Sequence, residues 1–171
     1  MACSQTLGGI LQDCQPSMGG LKEVYISNRE DVTGVTVTDE KISAIEMAAS
    51  AKFKRYYVRP QTSQFTSTLN VEQANGSRFV STDIVLVFSR MDSTKRTEME
   101  ALSAGELVTI GKDQNGKYWY FGYDNPVLAS AGDGQTGTNN TDRNGYSITL
   151  QDMSQRWPYE VNESIIAGLL A

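Results

Sequence analysis

The carboxylates Asp13, Asp83, Asp92, Glu98, Glu100, Asp113 and Asp124 would serve acid–base chemistry if two of them were held as a pair. Nothing in their spacing selects two, so they read as a solvated acidic surface. The chain of 171 residues contains no histidine, which removes the commonest general base, the usual triad member and the commonest metal ligand. Cys3 and Cys14 are the only cysteines, too few for a four-ligand zinc site. The chain opens without the charged and apolar regions of a secretion signal, so reduced thiols are expected rather than a disulfide. For the same reason the glycosylation pattern at Asn162-Glu163-Ser164 carries little weight. Gly132-Asp133-Gly134 with Asp142 and Asn144 offers oxygen ligands of the kind calcium takes, but at spacings unlike the EF-hand loop. The same glycines lack the Lys-Ser or Lys-Thr and the following helix of a phosphate loop. No catalytic residue, metal or cofactor is assigned, and the chain is not expected to be an enzyme.

Binding chemistry has two candidates. Tyr118, Trp119, Tyr120, Phe121 and Tyr123 would stack on sugars or bases if they shared a surface. Neighbours on a strand point to opposite faces, so core packing is the stronger expectation. Lys52, Lys54, Arg55 and Arg59, interleaved with Tyr56 and Tyr57, form a basic cluster that reads as a solvated strand face. The net charge of −5 argues against a surface that grips nucleic acid, because phosphate binding depends on clustered Lys and Arg.

The elements that would position these residues are mostly strands. With 39% hydrophobic and 20% charged residues, the chain can bury a core. Its apolar runs are far shorter than the roughly 20 residues of a spanning helix, so no membrane association is expected. Residues 1–20, punctuated by Gly8-Gly9 and Gly19-Gly20, read as an extended arm with Leu7, Ile10 and Leu11 as apolar anchors. A single domain is expected over 21–156. Val24 and Ile26 mark the first strand, and Val35–Thr38 and Ile42–Met47 the next two, with a short helix at 42–49 as the competing reading.

Beyond Pro60, the odd residues Phe65, Ser67, Leu69 and Val71 alternate with polar neighbours at a period of two. Asn75-Gly76 then predicts a tight turn, because such turns favour positive φ. The return runs through Phe79-Val80 and Ile84 to Phe88. Each arm of this hairpin, at about 62–90, holds about twelve residues, or roughly 40 Å, against about five or six in an ordinary strand. It is expected to exceed the needs of one subunit. A chain lacking residues 66–86 is accordingly expected to stay folded and fail to assemble.

Asp92 or Ser93 caps a helix at about 92–104, with Gly105 suited to a left-handed C-terminal position. A second hairpin turns at Gln114-Asn115-Gly116. The glycine-rich stretch 124–145 reads as a loop, either mobile or held by a partner, and Tyr146, Ile148 and Leu150 as the last strand. Residues 157–171, with Trp157, Ile165, Ile166 and Leu169, read as a docking tail. The fold class is therefore mainly β, a barrel or sandwich with one long hairpin and one packed helix.

Leu107 to Gly122, with Asp113-Gln114-Asn115-Gly116-Lys117-Tyr118-Trp119 at its centre, followed by Asn144-Gly145-Tyr146-Ser147-Ile148-Thr149-Leu150, resembles virion proteins of tailed phages. The group infects gut Bacteroidetes and includes the crAss-like phages. The similarity is good from Leu107 onward, extends to Gly19-Gly20-Leu21-Lys22-Glu23-Val24-Tyr25-Ile26, and elsewhere is one of general organisation. It implies a tail-tube-like or neck-ring subunit, assembled in the host cytoplasm and located in the virion. Its partners would be copies of itself in a cyclic ring, twelvefold or sixfold, and the adjacent portal, neck or tail rings. Genomic DNA would pass through the channel without sequence-specific binding.

On that reading Phe65, Leu69, Val71, Phe79, Ile84 and Leu86 form the assembly interface of the hairpin. Asp133, Asn139, Asn140 and Asp142 form a loop contacting the next ring, and Trp157, Ile165, Ile166 and Leu169 dock the tail. The alternative is a monomeric β-sandwich that binds a glycan through Trp119, Tyr118 or Tyr123.

Overall fold

A computed structural model describes residues 6–171; Cys3 lies outside them. The order is β1 (Leu21–Asn28), a 3-10 turn (Arg29–Asp31), β2 (Val32–Thr38), β3 (Lys41–Met47), β4 (Lys54–Tyr56), β5 (Gln64–Glu72) and β6 (Ser77–Ser89). Then follow α1 (Ser93–Ala104), β7 (Leu107–Asp113), β8 (Tyr118–Phe121), β9 (Leu128–Gln135), β10 (Gly145–Ser154), β11 (Tyr159–Val161) and α2 (Glu163–Leu169). The strands form a seven-stranded sheet, β2-β3-β11-β8-β7-β1-β4, and a four-stranded sheet, β5-β6-β10-β9. The fold is mainly β, as the alternation predicts, and neither sheet closes into a barrel among the described residues.

The larger sheet must curl strongly. β1 and β2 stand five positions apart in its order, about 24 Å if the sheet were flat. Only the 3-10 turn separates Asn28 from Val32, and four residue steps span at most about 14 Å. The curl gives this sheet two buried faces. Val24, Ile26, Leu107 and Phe121 pack against Ile84, Leu86, Ile148 and Leu150 of the smaller sheet. Tyr25, Ile42, Val108, Ile110, Tyr118 and Tyr120 line the inside of the curl, where Ile166 and Leu169 of α2 fill it. Each fully buried aliphatic side chain contributes about 1.5–3 kcal/mol.

The long hairpin is more self-contained than its length suggests. β6 pairs with β5 from Ser77 to Val85 and with β10 from Val80 to Ser89. Val87 is held further by Arg59 N–H donating to its carbonyl at 3.0 Å and by its own N–H donating to Ser63 Oγ at 3.2 Å. From Val80 onward the returning arm is therefore satisfied within the subunit. Removing residues 66–86 would take Val80, Thr82, Ile84 and Leu86 out of the core, so that deletion destroys the subunit. The separable part is the tip around 70–79, which β10 does not flank.

Two turns differ from expectation, and a third has uncommon backbone geometry. Glu72 faces Ser77 across a four-residue loop, with Gly76 at φ 72° and the Asn75 side chain accepting from Ser77 N–H at 3.0 Å. Asn-Gly thus ends a longer loop. Gly105 is extended, at φ −89°, and its N–H donates to Ala101 O; a Cβ there would stand 3.1 Å from Leu107 Cδ2, so close packing accounts for the glycine. Asp39 and Glu40 connect β2 and β3 with φ of 52° and 62°, the two-residue geometry for which Asn-Gly is preferred. Glu40→Gly is expected to raise stability by about 0.5–1 kcal/mol, read as a higher urea midpoint at an unchanged slope.

Residues 42–47 are strand, not helix. The stretch read as a mobile or partner-held loop contains β9, paired antiparallel with β10 from Gly145↔Gln135 to Gln151↔Leu128. Its glycines permit the close approach, for a Cβ on Gly134 would meet the Tyr146 ring at 2.8 Å and one on Gly132 the Ser147 carbonyl at 3.2 Å. Residues 157–171 dock on their own subunit. β11 inserts between β3 and β8, and Phe53 N–H donates to Leu169 O while Ala171 N–H donates to Phe53 O.

Candidate assembly interface

The inner face of the β5–β6 hairpin carries Phe65, Ser67, Leu69 and Val71 opposite Ile84, Thr82, Val80 and Arg78. Its base belongs to the sandwich. The Phe65 ring meets Phe121 edge-on at 5.0 Å and Trp119 at 6.2 Å, and the Ser67 and Thr82 hydroxyls share a 2.7 Å hydrogen bond. Ile84 and Leu86 are wholly buried. Their assignment to an interface is corrected, because they face β1 and β8 across the core and no neighbour can reach them.

The tip is different. Leu69 is 44% exposed and Val71 55% exposed on the inner face, and Phe79 is 38% exposed on the outer. A lone exposed apolar residue needs no explanation; here Leu69 and Val71 share one face. Beneath it lies a groove of about 770 Å³, walled by Leu69, Val80, Trp119, Trp157, Pro158 and Tyr159 and edged by Arg78, Arg156 and Glu40. The fold thus brings Leu69 together with Trp157, which is half exposed. Ile166 and Leu169 are instead buried inside the curl with Ile165 packed beside them, and they serve the subunit itself.

The groove floor is electrostatically set. Glu160 accepts from Lys41 Nζ at 3.0 Å and Lys117 Nζ at 2.8 Å. The Lys117 hydrogen bond, aided by Lys41, holds its carboxyl below the usual range. Arg156 donates to Tyr159 Oη at 2.9 Å and lies over the Tyr123 ring, so the wall beside Trp157 is stiffened.

Asp133, Asn139, Asn140 and Asp142 lie together at the far end of the small sheet. Asp133 accepts from Ser147 Oγ and, at 2.7 Å, from Arg143, and these bonds lower its pKa. Asp142 accepts from the N–H groups of Asn139 and Thr138 at 2.7 and 2.8 Å, which lowers its pKa too. Asn139 and Asn140 are exposed. Asp133 thus stands on a strand, while the other three share a turn.

Two exposed residues escaped the sequence reading. Met153 and Leu128 lie on the outer face of the small sheet, with Leu128 opposite Gln151 on β10. Continuing the alternation of Tyr146, Ile148 and Leu150 points Met153 outward, so the signal was present. Leu128 adjoins the stretch taken for a loop, which hid it. The aromatic run does not form one exposed platform: Tyr118 is buried against Tyr25, Trp119 packs on Phe65, and Tyr123 meets Tyr159.

Asp152 is a buried carboxylate on the inner face of β10, opposite Thr82. Its Oδ1 has no hydrogen-bond partner among the described residues. Burial raises its pKa to about 6, opposed by the Gly122 N–H and assisted by Asp124. The folded value exceeds the unfolded one, so the neutral acid favours folding below about pH 4, and that contribution is lost as pH rises through 6. Asp152→Asn is expected to remove up to about 3 kcal/mol of this pH dependence, checked by urea midpoints at pH 3.5 and pH 8. The variant gains most at pH 8.

No group of three or more His, Cys, Asp or Glu among the described residues is placed to hold a metal ion, and no helix there is long and apolar enough to cross a membrane. No protein-family model and no curated protein sequence matches the chain. Among solved structures, the chain is similar to one from a "Virion of native gene transfer agent (GTA) particle", at 11% identity and a TM-score of 0.35, over 75% of this chain and 97% of that one.

Proposed function

We propose that the chain is a non-enzymatic structural subunit of a tailed-phage neck or tail, closing with identical copies into a ring around the genome channel. The observation that carries this reading is the hairpin tip, where Leu69, in the last row that β10 flanks, and Val71, one row beyond it, stand about half exposed on the inner face beside the Trp157 groove. The four strands at sheet margins, β2, β4, β5 and β9, add open edges, and head-to-tail contacts between such surfaces close under cyclic symmetry. The resemblance of Leu107–Leu150 to phage virion proteins points the same way. A net charge of −5 suits a channel wall that repels phosphates and lets DNA slide. The exposed turn at Asn139, Asn140 and Asp142 is assigned to contact with the adjoining ring.

Light scattering of the full chain over a concentration series tests the reading. A ring gives a discrete mass many times 18.8 kDa. A mass of one subunit at every concentration, with virion proteins also present, contradicts it.

A further inference from the structure

The arm before β1 carries apolar side chains that nothing in its own subunit covers. Leu7 and Leu11 are 91% and 93% exposed, and Ile10 is wholly exposed. Residues 6–20 contain one charge, Asp13, and it is acidic. The base of the arm is fixed: Met18 N–H donates to Asn115 Oδ1 at 2.9 Å, and Asn115 Nδ2 donates back to Met18 O at 3.1 Å. Asn115 lies in the β7–β8 connection, so the arm leaves the subunit on the β7–β8 side of β1.

The opposite side of β1 holds an unfilled site. β4 pairs only with β1 and ends the large sheet, leaving its outer backbone edge open. Beside it is a groove of about 540 Å³ between β4 and α1, lined by Tyr56, Tyr57, Phe88, Met99 and Leu102. Its floor is braced by Tyr56 Oη donating to Glu98 at 2.9 Å. Lys54, Arg55 and Lys95 stand at its rim with Glu98; Arg55 pairs with Glu23 at 2.6 Å and Lys95 with Asp92 at 2.5 Å, and Tyr57, with the Arg55 guanidinium over its ring, is 72% exposed.

We infer that the N-terminal arm of each copy docks in the β4–α1 groove of the next copy, laying Leu7, Ile10 and Leu11 against its apolar wall. An extended segment beside an open edge strand gains backbone hydrogen bonds while alternate side chains enter pockets. Direction decides between a subunit's own groove and its neighbour's. The arm departs from one lateral side of the sheet and the groove opens on the other, which is the head-to-tail relation that a cyclic ring repeats. The twelve described residues before the Met18 anchor reach about 40 Å when extended, about the width of a single subunit of this size. This inference rests on the ring reading and adds its lateral fastening.

The test uses the full chain with Cys3→Ser, leaving Cys14 as the arm thiol, and Thr94→Cys at the groove. A short bismaleimide is expected to link copies through Cys14 into a ladder of dimers and higher multimers, absent when Cys14→Ser is added. Leu7→Ser with Ile10→Ser and Leu11→Ser is expected to raise the concentration for half-assembly about tenfold or more, with the monomer's melting unchanged. Rings that form without the Cys14 link overturn the inference and leave the ring reading standing. A link confined within one chain overturns the inference too. Failure of every variant and of the wild type to assemble with virion proteins present overturns both.

Discussion

Charging the hairpin tip, Leu69→Asp together with Val71→Asp, is expected to leave a folded monomer that no longer assembles. Val71 stands on the inner face beyond the reach of β10 and Leu69 in the last row that β10 flanks, both about half exposed, and surface changes of this kind alter stability by about 1 kcal/mol or less. The chain's own core, built on Ile84, Leu86, Ile148 and Leu150, is untouched. In a ring the same positions are covered by a neighbour, and burying an unpaired carboxylate costs several kcal/mol. Two per contact, at tenfold for each 1.4 kcal/mol, weaken association by about a thousandfold or more. Sedimentation velocity beside thermal melting separates the outcomes. A variant that melts like the wild type yet sediments as a monomer bears out the account; one that assembles at the wild-type concentration removes the tip from the interface.

The largest effect on folding is expected from Gly145→Ala. Gly145 opens β10 between Ser89 of β6 and Gln135 of β9, at the junction where Arg90 N–H donates to Asn144 O at 2.7 Å and Met91 N–H to Asn144 Oδ1 at 2.9 Å. A Cβ here would overlap the Phe88 carbonyl oxygen and crowd the Ser89 backbone. Backbone atoms cannot step aside without breaking the β6–β10 ladder, so the cost is about 3 kcal/mol or more, a drop of roughly 6–12 °C in melting for a domain of this size. Gly134→Ala is the matched comparison, because its Cβ meets side chains, the Tyr146 ring and Met91 Cε, and no backbone. It is expected to cost about 1 kcal/mol. Equal melting of the two variants would show that the sheets can slide apart at this corner.

Local periodicity made much of the fold legible. The alternation of Phe65, Leu69 and Val71, the Asp92 cap, and the Asn115-Gly116 turn each correspond to an observed element, since each depends on neighbours close in sequence. Asp92 accepts from Lys95 N–H at 2.8 Å, and Asp113 Oδ1 accepts from both Asn115 and Lys117 N–H. What stayed hidden depends on distant partners. β9 resembles a loop because its glycines serve Tyr146 and Ser147 on another strand, and β11 is three residues long and pairs in parallel with β3 across the chain. α2 is too short for a helical period to show and contains Gly168. The curl of the large sheet follows only from its strand order.

The candidate site was legible in parts. Leu69, Val71 and Phe79 were visible as apolar residues in a hairpin of unusual length, and Trp157 as an aromatic in a polar stretch. Their relation was not, because strand alternation gives a face but no measure of where a neighbouring strand stops covering it. That is why Ile84 and Leu86, on the same face as Val80, were grouped with the tip although β10 shields them.

The central claim is that identical copies complete one another around an axis. Electron cryomicroscopy of intact particles containing this chain, with its density traced, tests it most directly. The account predicts a closed ring about the channel, hairpin tips seated between adjacent copies and β4 edges facing a neighbour. Copies standing apart, with Leu69, Val71 and Trp157 all facing solvent, would contradict it.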